Sequence, residues 1–549
     1  MPRSNKKYPK SKRNKKLSAR GKGTKRTKLW KSLIHNGVLF PPDFEPQGLT
    51  LTINGKKTVL SPQQEEMAWA WASKRNTPYV QDEVFASNFL LDFLKIFPPE
   101  YSNVNIQDIN FSRIIKYQEK EKERKSQPEV KKKLAAERKK LREALKDKYG
   151  FVEIDGDKTE IANYLVEPPG IFMGRGKHPF RGRWKPRIYP KDITLNLSKK
   201  CESPLLSGGQ KWGNRIQDKQ SMWLASWTDK LTKKNKYVWP HDSSNIRQQR
   251  DKMKFDHAKK LAPKLERIRN HIMRGMNSTD IKTRKIATVC YLIDKLCMRV
   301  GDEKDEDEAD TVGASTLRVE HLQITPHNIK FNFLGKDSIP WSKSIPGKAE
   351  KIQLFRKNLE IFMDGKKNGE TIFDGVRSSD INRFLDKTMN GLTAKVFRTF
   401  YATKVASTYL LQNSNCQEDP EFQKIFYARM ANLETAITCN HKRTPPKNWK
   451  KGIVKKKERL RKLRAKPPKT EKAQKRYGER LLKAKLSLQL AKKTKEYNLN
   501  TSLRNYIDPR IYKSWSDSVD LDWQKIYAKT LQKKFSWTAK SKIKWSSNY

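Results

Sequence analysis

Two stretches of this chain are too cationic to lie inside a folded core, and they set its divisions. Residues 1–28 hold 13 Lys or Arg and no acid, in a Ser, Gly and Asn background. Residues 445–495 hold 21 Lys or Arg against three Glu. Burying that much unpaired charge is prohibitive, so both must stand in water or on a polyanion, and apolar residues resume after each. The expected organisation is a disordered basic tail (1–28), an N-terminal lobe (29–243), a helix-rich core (244–444), a basic helical linker (445–495) and a small C-terminal domain (496–549).

The charge balance also names a partner class. Across 549 residues, 118 Lys and Arg stand against 59 Asp and Glu, a formal net charge of +59. Nucleic acid is the expected partner, because neutralising phosphates releases counterions and gives sequence-independent affinity. With 36% hydrophobic residues and 14 Trp, the chain can still build cores and is not merely a disordered polycation. The five cysteines, Cys201, Cys290, Cys297, Cys416 and Cys439, form no CxxC pair. That argues against a zinc module or a disulfide framework and fits a reducing compartment. No apolar run reaches the roughly 18 residues of a membrane span, and the N-terminus lacks the apolar segment of a signal peptide. In the tail, Lys6-Lys7, Lys15-Lys16 and Lys25-Arg26 suit nuclear import or a loose DNA-binding arm.

Local signals predict the elements. Asn54-Gly55 marks a hairpin turn within residues 50–56, and Ser61-Pro62 a helix start. Residues 116–149 alternate Glu with Lys or Arg, as exposed helices interrupted near Pro128 do. The loop from Val166 to Pro179 combines three prolines and three glycines with Arg175, Lys177 and His178. Those cations make phosphate contact as credible as a plain surface turn, although the glycine spacing is not that of a nucleotide-binding loop. Two aromatic segments flank a basic hairpin whose tip lysines, Lys233, Lys234 and Lys236, are placed to touch DNA. Apolar residues from Ile272 to Leu296 keep helical spacing and put Arg299 at the helix end. Seven acids crowd into residues 302–310, a solvated loop rather than a metal site. Residues 317–322 are expected as a strand, 330–338 as a hairpin with Lys336 in its turn, and leucines around Pro467-Pro468 as an antiparallel helical hairpin.

Close to the C-terminus, Tyr506 lies between Asn505 and a turn-prone Asp508-Pro509 pair, with Arg504 and Arg510 on either side. Alone, an aromatic entering a turn is a core anchor. Its neighbours upstream change the reading. In order, the chain carries VEPPG followed by GRGKHP (Val166 to Pro179), SWT (226–228), DKL (from Asp294) leading to RVGDEK, ADTVGASTLRVEH (309–321), FLGKDSI (333–339), LTAKVFRT (392–399), CNHKRTPPK (439–447) and NYIDPRI (505–511). This series resembles the eukaryotic-type DNA topoisomerase I family, type IB, from about Trp30 into the C-terminal domain.

The resemblance implies an α+β multidomain DNA clamp with a mixed N-terminal lobe as DNA-binding cap, a tyrosine-recombinase-like catalytic core, a helical hairpin linker and a C-terminal domain bearing the nucleophile. It implies Tyr506 as nucleophile with Arg299, Lys336, Arg398 and His441 completing the catalytic set. It also implies DNA or inhibitor-pocket contacts at Arg175, Asp337 and Asn505, and a DNA contact at Lys236. The implied activity is relaxation of positive and negative supercoils through a 3′-phosphotyrosine, without ATP, metal or other cofactor. The implied setting is a monomer on supercoiled double-stranded DNA in replication and transcription, in the nucleus or at a viral replication site, with a camptothecin-type inhibitor able to lodge at the cleaved DNA. The tail and linker are shorter than in typical animal members, the stretch around Asp302 is more acidic, and the residues past Trp537 diverge.

The chemistry fits those residue types. A tyrosine with a pKa of about 10 is protonated at neutral pH and needs help as a nucleophile. Two guanidiniums can each hold a nonbridging phosphate oxygen in a planar fork and His441 can donate to another, which stabilises charge that grows only during attack. Lys336 can protonate the departing 5′ oxygen. Tyrosine recombinases use a related set, but their second arginine sits in an Arg-or-His-x-x-Arg element, whereas Arg398 follows Ala-Lys-Val-Phe. A noncatalytic architectural protein would also suit the charge, and substitution of Tyr506 separates it from an enzyme.

Overall fold

The computed structural model describes residues 28–541 apart from 175, 177, 302–311, 337–338 and 348–349. The tail up to residue 27, the acidic run, and the expected DNA contacts Arg175, Lys177 and Asp337 therefore lie outside the described residues. The chain begins with β1 (Leu33–His35), then the hairpin β2 (Thr50–Ile53) and β3 (Lys56–Val59). Asn54 and Gly55 turn that hairpin with φ of 48° and 76°, the left-handed pair that matches strand twist. Helix α1 (Pro62–Ala72) starts at a capping box in which Gln64 Oε1 accepts from the Ser61 N–H at 2.8 Å. It packs with α2 (Glu83–Leu94), β4 (Ile109–Asn110) and α3 (Ser112–Ser126) around a core of Trp71, Phe85, Phe89 and Phe93. Gln127-Pro128 breaks the next helix from α3, and α4 (Pro128–Tyr149) buries no residue along its 22.

A second core in the same half gathers β1, β5 (Phe151–Ile154), β9 (Thr194–Asn196), β11 (Ala225–Thr228) and β12 (Asn235–Val238), with β6 (Asp157–Glu160) and β10 (Asn214–Ile216) at the sheet edges, while the short pair β7 (Gly170–Ile171) and β8 (Trp184–Lys185) packs on the first core through Ile171 and Trp184. One sheet runs β1-β5-β6 and another β10-β9-β11-β12. Lys236 is not at the tip of the basic hairpin: it lies within β12, opposite Trp227, because the turn takes up Lys233 at φ 55°.

From Ser244 the chain is mainly helical: α5 (Asn245–Lys259), α6 (Leu265–Met276) and α7 (Ile281–Leu296), followed after a loop by the meander β13 (Leu322–Thr325), β14 (Asn328–Gly335) and β15 (Ile339–Pro346), then α8 (Glu350–Met363), α9 (Ser378–Asp386), α10 (Ala394–Gln412) and α11 (Glu421–Thr438). The strand expected over 317–322 is absent. A 3-10 turn, Val319–His321, stands there, after another at Ala314–Thr316; Arg318 makes a single isolated bridge to Thr371, and the ladder with β14 begins only at Leu322. The His321 ring accounts for it, since its Nδ1 accepts from the Arg318 N–H at 3.0 Å and closes the turn. Helices α12 (Trp449–Arg464) and α13 (Glu471–Lys493) form the expected hairpin, and α14 (Leu499–Asn505), α15 (Pro509–Ser518) and α16 (Lys529–Lys534) finish the chain. These last helices share one core with α10 and α11, including Tyr512, Trp515 and Phe535. The architecture is α+β, with the strands gathered mainly in the first half.

Candidate active site

Four separate helix ends and one hairpin turn deliver the five residues expected to act together. Helix α7 stops where Cys297 takes a left-handed φ of 53°, and Arg299 follows in extended chain, beyond the helix end rather than at it. That extended segment is held by the loop after the acidic run: Ala314 N–H donates to Arg299 O at 2.8 Å and Ser315 N–H to Val300 O at 2.7 Å. Only glycines allow so close an approach, since a Cβ on Gly313 would meet the Gly301 backbone at 2.4 Å. Helix α11 ends in a similar way, and His441 follows Asn440, itself at φ 51°. Arg398 lies in the first turns of α10 and is 4% exposed. Lys336 is exposed at the turn between β14 and β15.

Arg398 links the elements. One terminal nitrogen donates to Cys297 O, the other to Cys439 O at 3.1 Å, and the latter also faces His441 Nε2 at 3.2 Å. Arginine can only donate, so Nε2 accepts, and the neutral ring carries its proton on Nδ1, 2.7 Å from Ser502 Oγ. Arg398 Nε is buried without a hydrogen-bond partner among the described residues. Tyr506, the residue that caps α14, stacks against this pair: its ring centroid is 4.9 Å from that of His441 and 5.2 Å from the Arg398 guanidinium carbon.

The electrostatics follow. Burial, reinforced by Arg398 and Arg299, lowers the His441 pKa to about 3, so the imidazole is neutral at pH 7. Burial alone would raise the Tyr506 phenol, but the charges of Arg398 and Arg299 and a hydrogen bond from Arg398 outweigh it, and the net shift is downward. A cleft of about 200 Å³ is lined by Arg299, Lys336, Arg398 and His441 together. Tyr506 is not among its lining residues and instead packs against two of them. Such a cationic cleft with a half-buried phenol beside it can hold a phosphodiester and attack it.

The other expected contacts divide. Asn505 ends α14 with its side chain exposed, and its carbonyl accepts from Lys254 Nζ at 3.2 Å. His178 has an internal use: Nδ1 accepts from the Phe180 N–H at 3.1 Å and the ring meets Phe172 edge-on at 4.9 Å, ordering the glycine loop. Lys233 Nζ donates to Lys230 O at 2.8 Å, and Lys236 Nζ lies 3.6 Å from Glu167.

Sequence reasoning missed the supports. Ser502 orients His441. Asp294, within α7, holds Arg269 of α6 at 2.9 Å and the Tyr401 hydroxyl of α10, joining the helices that lead to Arg299 and Arg398. Thr403 Oγ donates to Tyr506 O at 3.2 Å and accepts from the Asp508 N–H at 3.1 Å. Asp508, fully buried, caps α15 and pairs with Arg510, which reaches Asp256 of α5 at 2.6 Å. Only the Asp-Pro-Arg spacing hinted at any of these. Among the described residues no group of three or more His, Cys, Asp or Glu could hold a metal ion, and no described helix is long and apolar enough to cross a membrane.

Comparison with known proteins was consistent from residue 28 to residue 547. The family model "Eukaryotic DNA topoisomerase I, DNA binding fragment" matches residues 28–240, "Eukaryotic DNA topoisomerase I, catalytic core" residues 243–474, and "C-terminal topoisomerase domain" residues 478–547. Among similar proteins, DNA topoisomerase 1 of Homo sapiens is 36% identical over 545 residues, covering 92% of this chain and 70% of the human protein. DNA topoisomerase 1 beta of Arabidopsis thaliana is 35% identical over 543 residues, covering 93% and 58%. DNA topoisomerase 1 of Drosophila melanogaster is 36% identical over 533 residues, covering 92% and 54%. The chain thus spans little more than half the length of the plant and fly relatives.

Proposed function

This chain belongs to the eukaryotic DNA topoisomerase I family, and we propose that it relaxes positive and negative supercoils by cutting one DNA strand through a 3′-phosphotyrosine at Tyr506, letting the free duplex end rotate, and resealing. The observation that carries this reading is the contact of Tyr506 with Arg398 and His441 beside a cleft that also presents Arg299 and Lys336. Arg299, Arg398 and His441 hold the nonbridging oxygens, where charge grows as the phenol oxygen attacks, so they favour the transition state over the ground state. The unpartnered Arg398 Nε supplies a donor already free of protein acceptors. Lys336 protonates the departing 5′ oxygen. The phosphodiester energy is kept in the protein–DNA bond, so the 5′ hydroxyl reverses the reaction without ATP or a metal ion.

We assign residues 1–28 to a tail, 29–243 to a DNA-binding cap, 244–444 to the catalytic core, 445–495 to a linker and 496–549 to the nucleophile domain, acting as a monomer around duplex DNA in the nucleus. DNA contacts extend to Arg175, Lys177, His178, Lys233, Lys236, Asp337 and Asn505, and a flat camptothecin-type inhibitor would occupy the gap between the cleaved ends. Relaxation of supercoiled plasmid in EDTA without ATP tests the core of this. The intact protein is expected to relax it and to be trapped by denaturant on a 3′ end, while Tyr506→Phe binds DNA and does neither. If both proteins bind and neither relaxes, the reading fails.

A further inference from the structure

We infer that Lys343 is a positioning residue that fixes Arg299, His441 and Lys336 relative to one another, an inference that rests on the topoisomerase reading above. Side chains alternate along β15, and Trp341, Lys343 and Ile345 share its inner face. Trp341 and Ile345 are each 6% exposed and belong to the apolar core. A lysine between them is costly, because burial disfavours its charged form and the Arg398 guanidinium nearby adds repulsion, so its pKa is lowered. What it gains is two carbonyls. Lys343 Nζ donates to Leu296 O at 3.1 Å and to Thr438 O at 2.6 Å, the last residues of α7 and α11.

Those carbonyls belong to the set that a helix end leaves without intrahelical donors, and two such negative ends repel when brought together. A cation between them satisfies both. Arg398 repeats the bridge one residue further on, taking Cys297 O and Cys439 O. Each strand then runs two residues more, to Arg299 in one case and His441 in the other. Two stacked cationic bridges therefore bind the two segments side by side. Arg398 must also serve the phosphate, whereas Lys343 among the described residues serves only the framework. Because Lys343 stands on β15, it also ties the hairpin that presents Lys336 to the same pair of helix ends.

The consequence is kinetic. Lys343→Met keeps the stem and removes the donors, so the two segments lose their register while the DNA-binding surface is untouched. Single-turnover formation of the covalent adduct on a suicide oligonucleotide duplex is expected to slow about ten- to a hundredfold, the scale of a misplacement of about 1 Å, with the DNA dissociation constant within twofold of the unsubstituted protein. Lys343→Arg, which retains donors for both carbonyls, is expected to recover most of the rate. Should Lys343→Met not fold, Lys343→Gln, whose shorter neutral side chain keeps N–H donors without the charge, is expected at an intermediate rate. A folded neutral variant that forms adduct within twofold of the unsubstituted rate overturns the inference, as does one whose rate and DNA affinity fall in parallel. An unsubstituted protein that forms no adduct overturns the topoisomerase reading first and this inference with it.

Discussion

His441 shows how far one side chain's burial sets its chemistry. With its pKa near 3 the ring is neutral across the physiological range, so it acts as a hydrogen-bonding group and not as a standing charge. The Ser502 hydroxyl can accept from Nδ1–H or donate to Nδ1, and can therefore follow the ring when Nε2 must donate to a phosphate in place of accepting from Arg398. Ser502→Ala is expected to lower kcat about tenfold with KM little changed, since loss of one oriented donor in a transition state is worth more than about 1.4 kcal/mol, and Ser502→Thr to restore it; equal losses in both parameters would argue against an orienting role. The sign of the pH effect on stability follows from the same burial. The folded pKa is depressed below the unfolded value of about 6.5, so the contribution of neutral His441 is present above that pH and is lost as pH falls toward 3. By pH 5 the loss reaches about 2 kcal/mol. Chemical denaturation at pH 7 and pH 5 should therefore show a smaller drop for His441→Gln than for the unsubstituted protein.

At the scale of elements, α5 is where the helices around Tyr506 are docked. Asp242, just before it, receives Arg247 at 2.6 Å, Arg504 of α14 at 2.5 Å and Lys534 of α16 at 3.5 Å, while Asp251 of α5 also takes Lys534 at 2.7 Å. Burial would raise the Asp242 pKa, but these cations hold it below its ordinary value. Its contribution is then present above the usual carboxylate pKa and is lost as pH falls through the folded one. Asp242→Asn is expected to cost about 1–3 kcal/mol, discounted because Arg504 and Arg247 stay partly hydrated, and to release the C-terminal domain, which proteolysis within 496–541 would report; unchanged protection would refute the docking role. The sequence displayed the helices and hairpins on either side of this dock because periodicity and turn chemistry are local. It displayed the candidate catalytic residues because each lies in a family motif. It could not display Asp242–Arg504, 262 residues apart, or Lys343 on two carbonyls, since neither interaction leaves a pattern along the chain. The strand expected over 317–322 failed for a related reason: alternation there was real, but a His321 side-chain hydrogen bond closed the turn instead.

For the whole molecule, the question is how a chain of net charge +59 can carry a basic hairpin on the path between His441 and Tyr506 without disturbing either. The feet of that hairpin are fastened. Asn498 N–H donates to His441 O and Arg443 N–H to Glu496 O, both at 2.7 Å, and Lys442 bridges Tyr497. Along the chain, this ladder stands between α12 and α13 and the imidazole and phenol. The hairpin is held by buried Ile453, Leu460 and Ala484, by Lys456 Nζ on Ser487 Oγ at 2.5 Å and by Trp449 Nε1 on Ala491 O at 3.0 Å, while most of its other cations face outward. Its contribution should then be electrostatic. Replacing residues 449–494 by a short Gly/Ser turn is expected to leave the single-turnover cleavage rate within about threefold, because the ladder and the packing around Tyr506 remain. DNA affinity should fall, and the dependence of log affinity on log salt should become shallower by about 0.9 for each phosphate that the hairpin no longer neutralises. Affinity and cleavage measured across a range of about 50 to 200 mM salt separate the two effects. A cleavage rate that collapses at saturating DNA would mean that the linker helps to shape the active site, and the fastened feet would not be the boundary between charge and chemistry.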